Sequence, residues 1–453
     1  MLFRLRVFIL LAASFWTSAS LLSAQNQQQN MPDMPGMQHD HAHAQHNKVS
    51  HSPQLVQEIL AHETSGTSIE PEFRPLQFQF PMLMKEQGDW ALMFHGQAFL
   101  NTVQQSGPRG YDKVFSTNWF MPMAQRSLGP GQLTLRTMVS LEPATVTHRF
   151  YPELFQQGET AFGRPIDDGQ HPHDFLMEIA ALYDWKLNDQ TLLSFYAAPV
   201  GDPAMGPVAY SHRSSAMENP MAALGHHLED STHIADDVFT AGFAWKLARL
   251  EASGFHGREP DENRWNIDSG SIDSWSTRLT VQPAHNWVTQ YSFAHLTSPE
   301  ALHPTEDLER MTASISYDVW PGEGQNFAAT LLWGRNHSLE TGENFNGYLA
   351  EATLRFAPHN FWARIENVDR TNELLFGKNP EPLGFEEQFL ARVQAYTFGY
   401  DHEINLLRNL STAIGGQVTF YRAPSFLSPI YGDHPTGAVL FLRVRPVGTV
   451  HRH

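Results

Sequence analysis

The stretch Leu92-Met93-Phe94-His95-Gly96-Gln97-Ala98-Phe99-Leu100 changes character at every step. Leu92, Phe94, Gly96, Ala98 and Leu100 make one set, and Met93, His95, Gln97 and Phe99 the other. A two-residue period sends successive side chains to opposite faces of a β-strand. The first set suits contact with lipid, the second a mostly wet interior. The same pattern returns along the chain. In Phe175–Trp185, the face Phe175, Met177, Ile179, Ala181, Tyr183 and Trp185 opposes Glu178 and Asp184. Tyr348, Ala350, Ala352, Leu354 and Phe356 oppose Glu351, Thr353 and Arg355, while Ala438, Leu440, Leu442 and Val444 oppose Arg443 and Arg445.

Further runs begin near Leu133, Val238, Leu250, Trp275, Trp287, Met311, Phe327, Phe361, Phe389 and Ser411, with less regular ones near Phe115 and Thr191. About sixteen strands are expected, an even number as in single-chain bacterial barrels. Short links alternate with long ones. The short class comprises 128–132, 187–190, 247–249, 283–286, 321–325, 358–360 and 406–409. The long class comprises 105–114, 142–172, 202–231, 257–273, 297–307, 371–387 and 423–436, with 337–344 the shortest of its kind. This asymmetry predicts an all-β fold: a transmembrane antiparallel up-and-down barrel with tight periplasmic turns and longer outer loops.

Tryptophan placement agrees. Trp90, Trp185, Trp245, Trp287, Trp320 and Trp362 adjoin the N-terminal start of the strands or a short turn and are expected to form an inner-interface ring. Trp119, Trp275 and Trp333 adjoin long links and are expected to mark the outer one. A soluble β-sandwich or propeller would also alternate, but its strands would be shorter, and no fixed-length repeat supports a propeller.

Composition narrows the function. The formal net charge is −18, which disfavours nucleic acid and favours attraction of cations. Cysteine is absent, which removes disulfides and thiolate metal sites. Mean hydropathy is −0.36 and no apolar run is long enough for a spanning helix, so a helical membrane protein is excluded. At the N-terminus, Arg4 and Arg6 precede an apolar run from Val7 to Trp16 and small residues up to Ala24. That order predicts a signal peptide over 1–24, cut near Ala24-Gln25. The expected organisation continues with a disordered Met/His-rich periplasmic leader at 25–65, carrying an amphipathic helical turn or two within 53–62. An irregular connecting segment follows at 66–88, then the barrel at 89–453. The expected location is the bacterial outer membrane.

Inward charges of both signs are expected to line the pore: Arg136, Glu178, Asp184, Glu251, Arg278, Glu351, Arg355, Arg364, Glu366, Arg392, Arg443 and Arg445. In water they tune selectivity, and paired across strands they brace the wall. The leader carries Met31, Met34, Met37, His39, His41, His43 and His46. Soft thioethers bind Cu(I) and imidazoles bind Cu(II) or Zn(II), so copper is the candidate ligand, although no cofactor is required. A second metal set, His171, His173 and Asp174, is expected at the outer mouth beside His212, His226, His227, Glu229, Asp230, His233, Asp236 and Asp237.

The stretches Gly88–Gly96, Gln170–Asp174, Ser231–Ile234 and Phe255–Asp261 resemble parts of a group of porin-like bacterial outer-membrane barrels. That resemblance implies a barrel from about Gly66 onward but no settled activity. The Met/His leader is similar to that of copper-resistance B outer-membrane proteins. The barrel here is longer than that family implies, and the last strand ends at Arg445-Pro446-Val447 rather than on an aromatic residue. The reading is a porin-like channel with copper or heavy-metal handling through the leader. Its expected partners are membrane lipid, lipopolysaccharide, and small solutes or metal ions. A homotrimer is open to it but not specified. The rival is a rim hydrolase using His212, Ser214 or Ser215 and Glu218, or His233, Ser231 and Asp236. No Gly-x-Ser-x-Gly or His-Glu-x-x-His motif supports it.

Overall fold

The computed structural model describes residues 55–71, 82–301, 303–371, 390–404, 406 and 409–447. The expected signal peptide and the candidate leader ligands Met31 to His46 lie outside them. A helix, α1 (Leu55–Ala61), precedes a short strand β1 (Met82–Gln87). The wall begins with β2 (Trp90–Gln105), β3 (Lys113–Leu128) and β4 (Gly131–Val139). A helical turn α2 (Glu142–Thr145) leads into a separate hairpin, β5 (Tyr151–Ala161) and β6 (Arg164–Gln170). The wall resumes with β7 (Leu176–Asn188) and β8 (Thr191–Gly201). After the turn α3 (His226–Glu229) come β9 (Ala235–Trp245), β10 (Ala248–His256), β11 (Ser274–Ala284) and β12 (Trp287–Leu296). Next are β13 (Leu308–Gly322), β14 (Gln325–Ser338), β15 (Asn344–Phe356) and β16 (His359–Thr371). The ring ends with β17 (Leu390–Glu403), β18 (Leu410–Arg422), the turn α4 (Ser428–Tyr431) and β19 (Thr436–Pro446).

Sixteen of these strands pair antiparallel with their neighbours, and β19 pairs with β2 to close the ring. They correspond one to one with the sixteen alternating runs in the sequence. The closing seam is shared. From Ala98 to Gln105, β2 bonds to β19, and from Trp90 to His95 it bonds to β1. The wall therefore starts at Met82 rather than Asp89, and β1 replaces part of the segment expected to be irregular.

Barrel strands run from nine residues in β4 and β10 to sixteen in β2 and β3, enough to cross a hydrocarbon layer when tilted. Tight turns need special backbone. Gly324, at φ +68°, reverses the chain between β13 and β14, a conformation that a Cβ would strain. Outward positions carry Phe195, Phe239, Leu250, Tyr291, Leu331, Ile365, Phe398 and Leu440, all exposed, and among them the interface residues Trp185, Trp245, Trp275 and Trp287. Two tryptophans depart from the expected rings. Trp119 and Trp362 sit at inward registers, Trp119 on a histidine ring and Trp362 on Phe441 and Gln417. Met177 also turns inward, because the β4–β7 register shifts between Met138 and Val139. No helix among the described residues is long and apolar enough to cross a membrane.

Candidate functional site

The interior is filled. Residues 62–71, the β5–β6 hairpin and the long connection 202–234 all fold into the barrel, and the last is buried almost throughout. The inward charges therefore meet protein rather than open water.

Around the N-terminal segment, Arg136 donates to Glu178 at 2.6 and 2.8 Å and to the carbonyls of Thr64 (2.6 Å) and Gly66 (2.5 Å). Glu178 in turn accepts from Gly66 N and the Tyr196 hydroxyl. Arg249 and Arg278 flank Glu251 and reach the Thr67 carbonyl and hydroxyl. Asp184 meets His62 at 2.6 Å. Gly66 has φ +58°, and a Cβ there would lie 2.5 Å from that of Asp202. Thus α1 forms as expected, but residues 55–65 belong to the packed interior rather than to a disordered leader.

Higher in the lumen, Arg213 anchors the 202–234 plug. Its Nε donates to Glu351 at 2.6 Å, and its Nη1 contacts the Val208 carbonyl at 3.1 Å and Asp230 at 3.4 Å. Arg364 holds the other Glu351 oxygen at 2.9 Å and donates to the carbonyls of Met221 and Ala222. Ser215 also donates to Glu351, and Thr353 to the Ser215 carbonyl. Arg443 and Arg445 both reach Glu218 of the plug, with Asp401 and Glu403 beside them. Glu366 accepts from Gly225 N. Arg355 joins Glu403, while the half-exposed Arg392 pairs with Asp369. Arg392 departs from the expected lumenal set: it alternates with the buried Ala391 and Val393 and stands exposed on the outer side of the wall. The other residues expected to line a water-filled pore face inward but are committed to one another and to the segments inside the barrel. Buried charges need such partners.

The expected metal site at the mouth is not assembled. His171, His173 and Asp174 are buried and taken up separately by Glu159 (2.9 Å), Glu142 (3.0 Å) and Arg264 (3.5 Å). Among the described residues, no group of three His, Asp or Glu is placed to hold a metal ion. The imidazoles form a chain instead. His171, His227, His226, His233 and His173 succeed one another with ring centres 5.2–5.6 Å apart. Burial holds His227 and His233 below the usual imidazole range, His233 at about 3, whereas Glu142 helps to keep His173 above it. The catalytic arrangements of the rival reading do not form either. His212 faces the Met138 sulfur, Ser215 faces Glu351, Ser231 accepts from Arg310, and His233 meets the Asp230 carbonyl.

Glu229 of the plug is fully buried, and neither carboxyl oxygen has a hydrogen-bond partner. Burial, reinforced by Glu366 and Asp230, pushes its pKa well above the ordinary value. The docked state therefore holds this proton more tightly than the undocked one, and docking weakens as the pH rises above the free carboxyl's value, by about 1.4 kcal/mol per pH unit until the docked carboxyl itself ionises. Glu229→Gln, which mimics the protonated acid, is expected to strengthen docking at pH 7.5 and to leave it unchanged at pH 4. Protease protection of residues 202–234 at the two pH values reads the difference, and equal protection at pH 7.5 would count against it.

No protein-family model matches the chain, and no curated protein is similar to it. Solved structures do match. An anion-selective porin from Comamonas acidovorans aligns at TM-score 0.46 and 10% identity, over 79% of this chain and 99% of its own. Salmonella typhi OmpF, in complex with daunomycin, aligns at TM-score 0.47 and 10% identity, over 80% and 99%. A loop L8 deletion mutant of OmpT, an outer-membrane protein of Vibrio cholerae, aligns at 0.44 and 7%, over 78% and 98%. These likenesses are distant. The leader's resemblance to copper-resistance B proteins gains no support from them.

Proposed function

We propose that this chain is an outer-membrane, porin-like barrel whose lumen passes small solutes or metal ions when its internal plug shifts, and whose Met/His leader captures copper on the periplasmic side. One observation carries the passage: the 202–234 plug and residues 62–71 are tied to the wall by polar contacts, many of them from wall side chains to backbone carbonyls. Arg136 on Thr64 and Gly66, Arg249 on Thr67, and Arg364 on Met221 and Ala222 are of this kind. Water can take over the bonds to backbone at small net cost, so the buried pairs Arg213–Glu351 and Arg445–Glu218 set the main barrier to release. The apolar outer belt supports placement in a bilayer. The copper reading rests on the soft donors Met31, Met34 and Met37 beside His39, His41, His43 and His46.

In planar bilayers the full chain is expected to be mostly closed. It should show single-channel steps in urea concentrations that leave the barrel resistant to unfolding in detergent gels. A membrane that stays silent under those conditions would remove the passage.

A further inference from the structure

Four strands of the wall and the short β1 place methionine on one inward patch. Met82, Met93, Met121, Met123, Met138 and Met177 form a single buried cluster. The whole chain has fifteen methionines, so chance scatter does not explain six in one place. Methionine commonly fills irregular gaps. Here, however, the other large lumenal clusters are built mainly from Leu, Val, Ala, Phe and Tyr.

The register brings donors face to face. Met93 is opposite Met123, and His95 is opposite both Met121 on β3 and Met82 on β1. Directly opposed residues on one face lie close enough for their side chains to meet. From above, the plug lowers His212 onto this patch. Its Nε2 comes within 3.0 Å of the Met138 sulfur, and its ring lies tilted against Trp119 with centres 4.0 Å apart. Arg136 is bound to Glu178.

We propose that Met93, His95, Met121, Met123, Met138 and His212 form a lumenal site for a soft monovalent cation, Cu(I) or its analogue Ag(I). Thioether sulfur and neutral imidazole are the donors such an ion prefers, and an aromatic face nearby adds attraction. A hard divalent ion would need oxygen ligands that the cluster does not supply. Because one ligand comes from the plug and the rest from the wall, bound metal would also hold the plug in place. The inference extends the metal-handling part of the proposed function but uses no residue of the leader.

The test separates the two. In the full chain, the leader is silenced with Met31→Leu, Met34→Leu, Met37→Leu, His39→Asn, His41→Asn, His43→Asn and His46→Asn. Cu(I) is then titrated under reducing conditions against a chromophoric chelator. The silenced chain is expected to keep about one Cu(I), with sulfur and nitrogen scatterers at the copper absorption edge. Adding Met121→Leu and Met123→Leu, which conserve volume, should weaken binding ~tenfold or more. His212→Asn, which leaves the wall intact, should do the same. A silenced chain without copper, unchanged binding in either set of variants, or Zn(II) competing as well as Cu(I) would each overturn the site. Loss of copper from wild type to silenced chain reads the leader by itself, and bilayer conductance reads the passage.

Discussion

Excising residues 207–228 and joining the ends with a short Gly/Ser linker is expected to turn a mostly closed barrel into one with steady conductance. The increase over the full chain should be on the order of tenfold or more, because the excised residues occupy the part of the sixteen-strand lumen between Glu351, Arg364 and Arg443, while residues 62–71 and the β5–β6 hairpin remain inside. The deletion removes Arg213, Glu218, Met221, Ala222 and Gly225, which occupy Glu351, Arg443, Arg445, Arg364 and Glu366 of the wall. Those side chains would then face water, and their charges would set ion preference. The same barrel should keep its resistance to unfolding in detergent, since none of the wall's strand pairing involves the excised residues. If the excised form folds but conducts no more than the full chain, the plug is not what closes the lumen.

Arg213→Met is the second large effect. The change keeps much of the volume and removes the fork that joins Glu351, Asp230 and the Val208 carbonyl. Breaking one partner from a buried ionic group costs about 3–5 kcal/mol, because the charges left behind stay desolvated. If that cost falls on docking, the undocked fraction rises roughly a hundredfold or more. Protease cleavage between Val208 and Leu228 should accelerate accordingly while the wall stays intact. Arg213→Lys should recover only part of the loss, since an ammonium cannot repeat the planar fork. Cleavage unchanged from wild type would show that the plug is held elsewhere.

Much of this architecture was legible in the sequence. Period two, turn length and outward aromatics lead to the ring and its closure, because a wall strand has one lipid face and one inner face and its residues must alternate. The same rule also places Trp362 inward beside Phe361, and Trp119 inward between Thr117 and Met121. Reading those two by their nearness to turns overrode the alternation and misplaced them. Arg249 and Arg310, too, stand at inward registers and could have joined the expected lumenal set.

What was not legible is where the aperiodic segments go. Residues 202–234 show neither period, and their polar and small residues read as solvated loop. Their destination depends on partners far away in the chain, such as Glu351 for Arg213 and Arg443 for Glu218. Hence the histidines expected at an open rim lie inside: His171, His173, His226 and His233 meet a carboxylate or carbonyl, His212 meets the Met138 sulfur, and His227 packs between His171 and His226. Met177 was misplaced for a different reason: one irregular step in register reverses a side chain, and periodicity cannot announce it.

The divided closing seam has a consequence for biogenesis. The earliest-synthesised part of the described chain supplies both the strip beside Trp90–His95 and the cord threaded through the arginines of the inner wall. A polypeptide trimmed to Asp89 would leave that stretch of β2 with bare amides and carbonyls in an oily surrounding, each a liability of several kcal/mol. The ring's seam is therefore complete only with β1 in place, and loss of residues 82–87 is the trimming this wall should tolerate least.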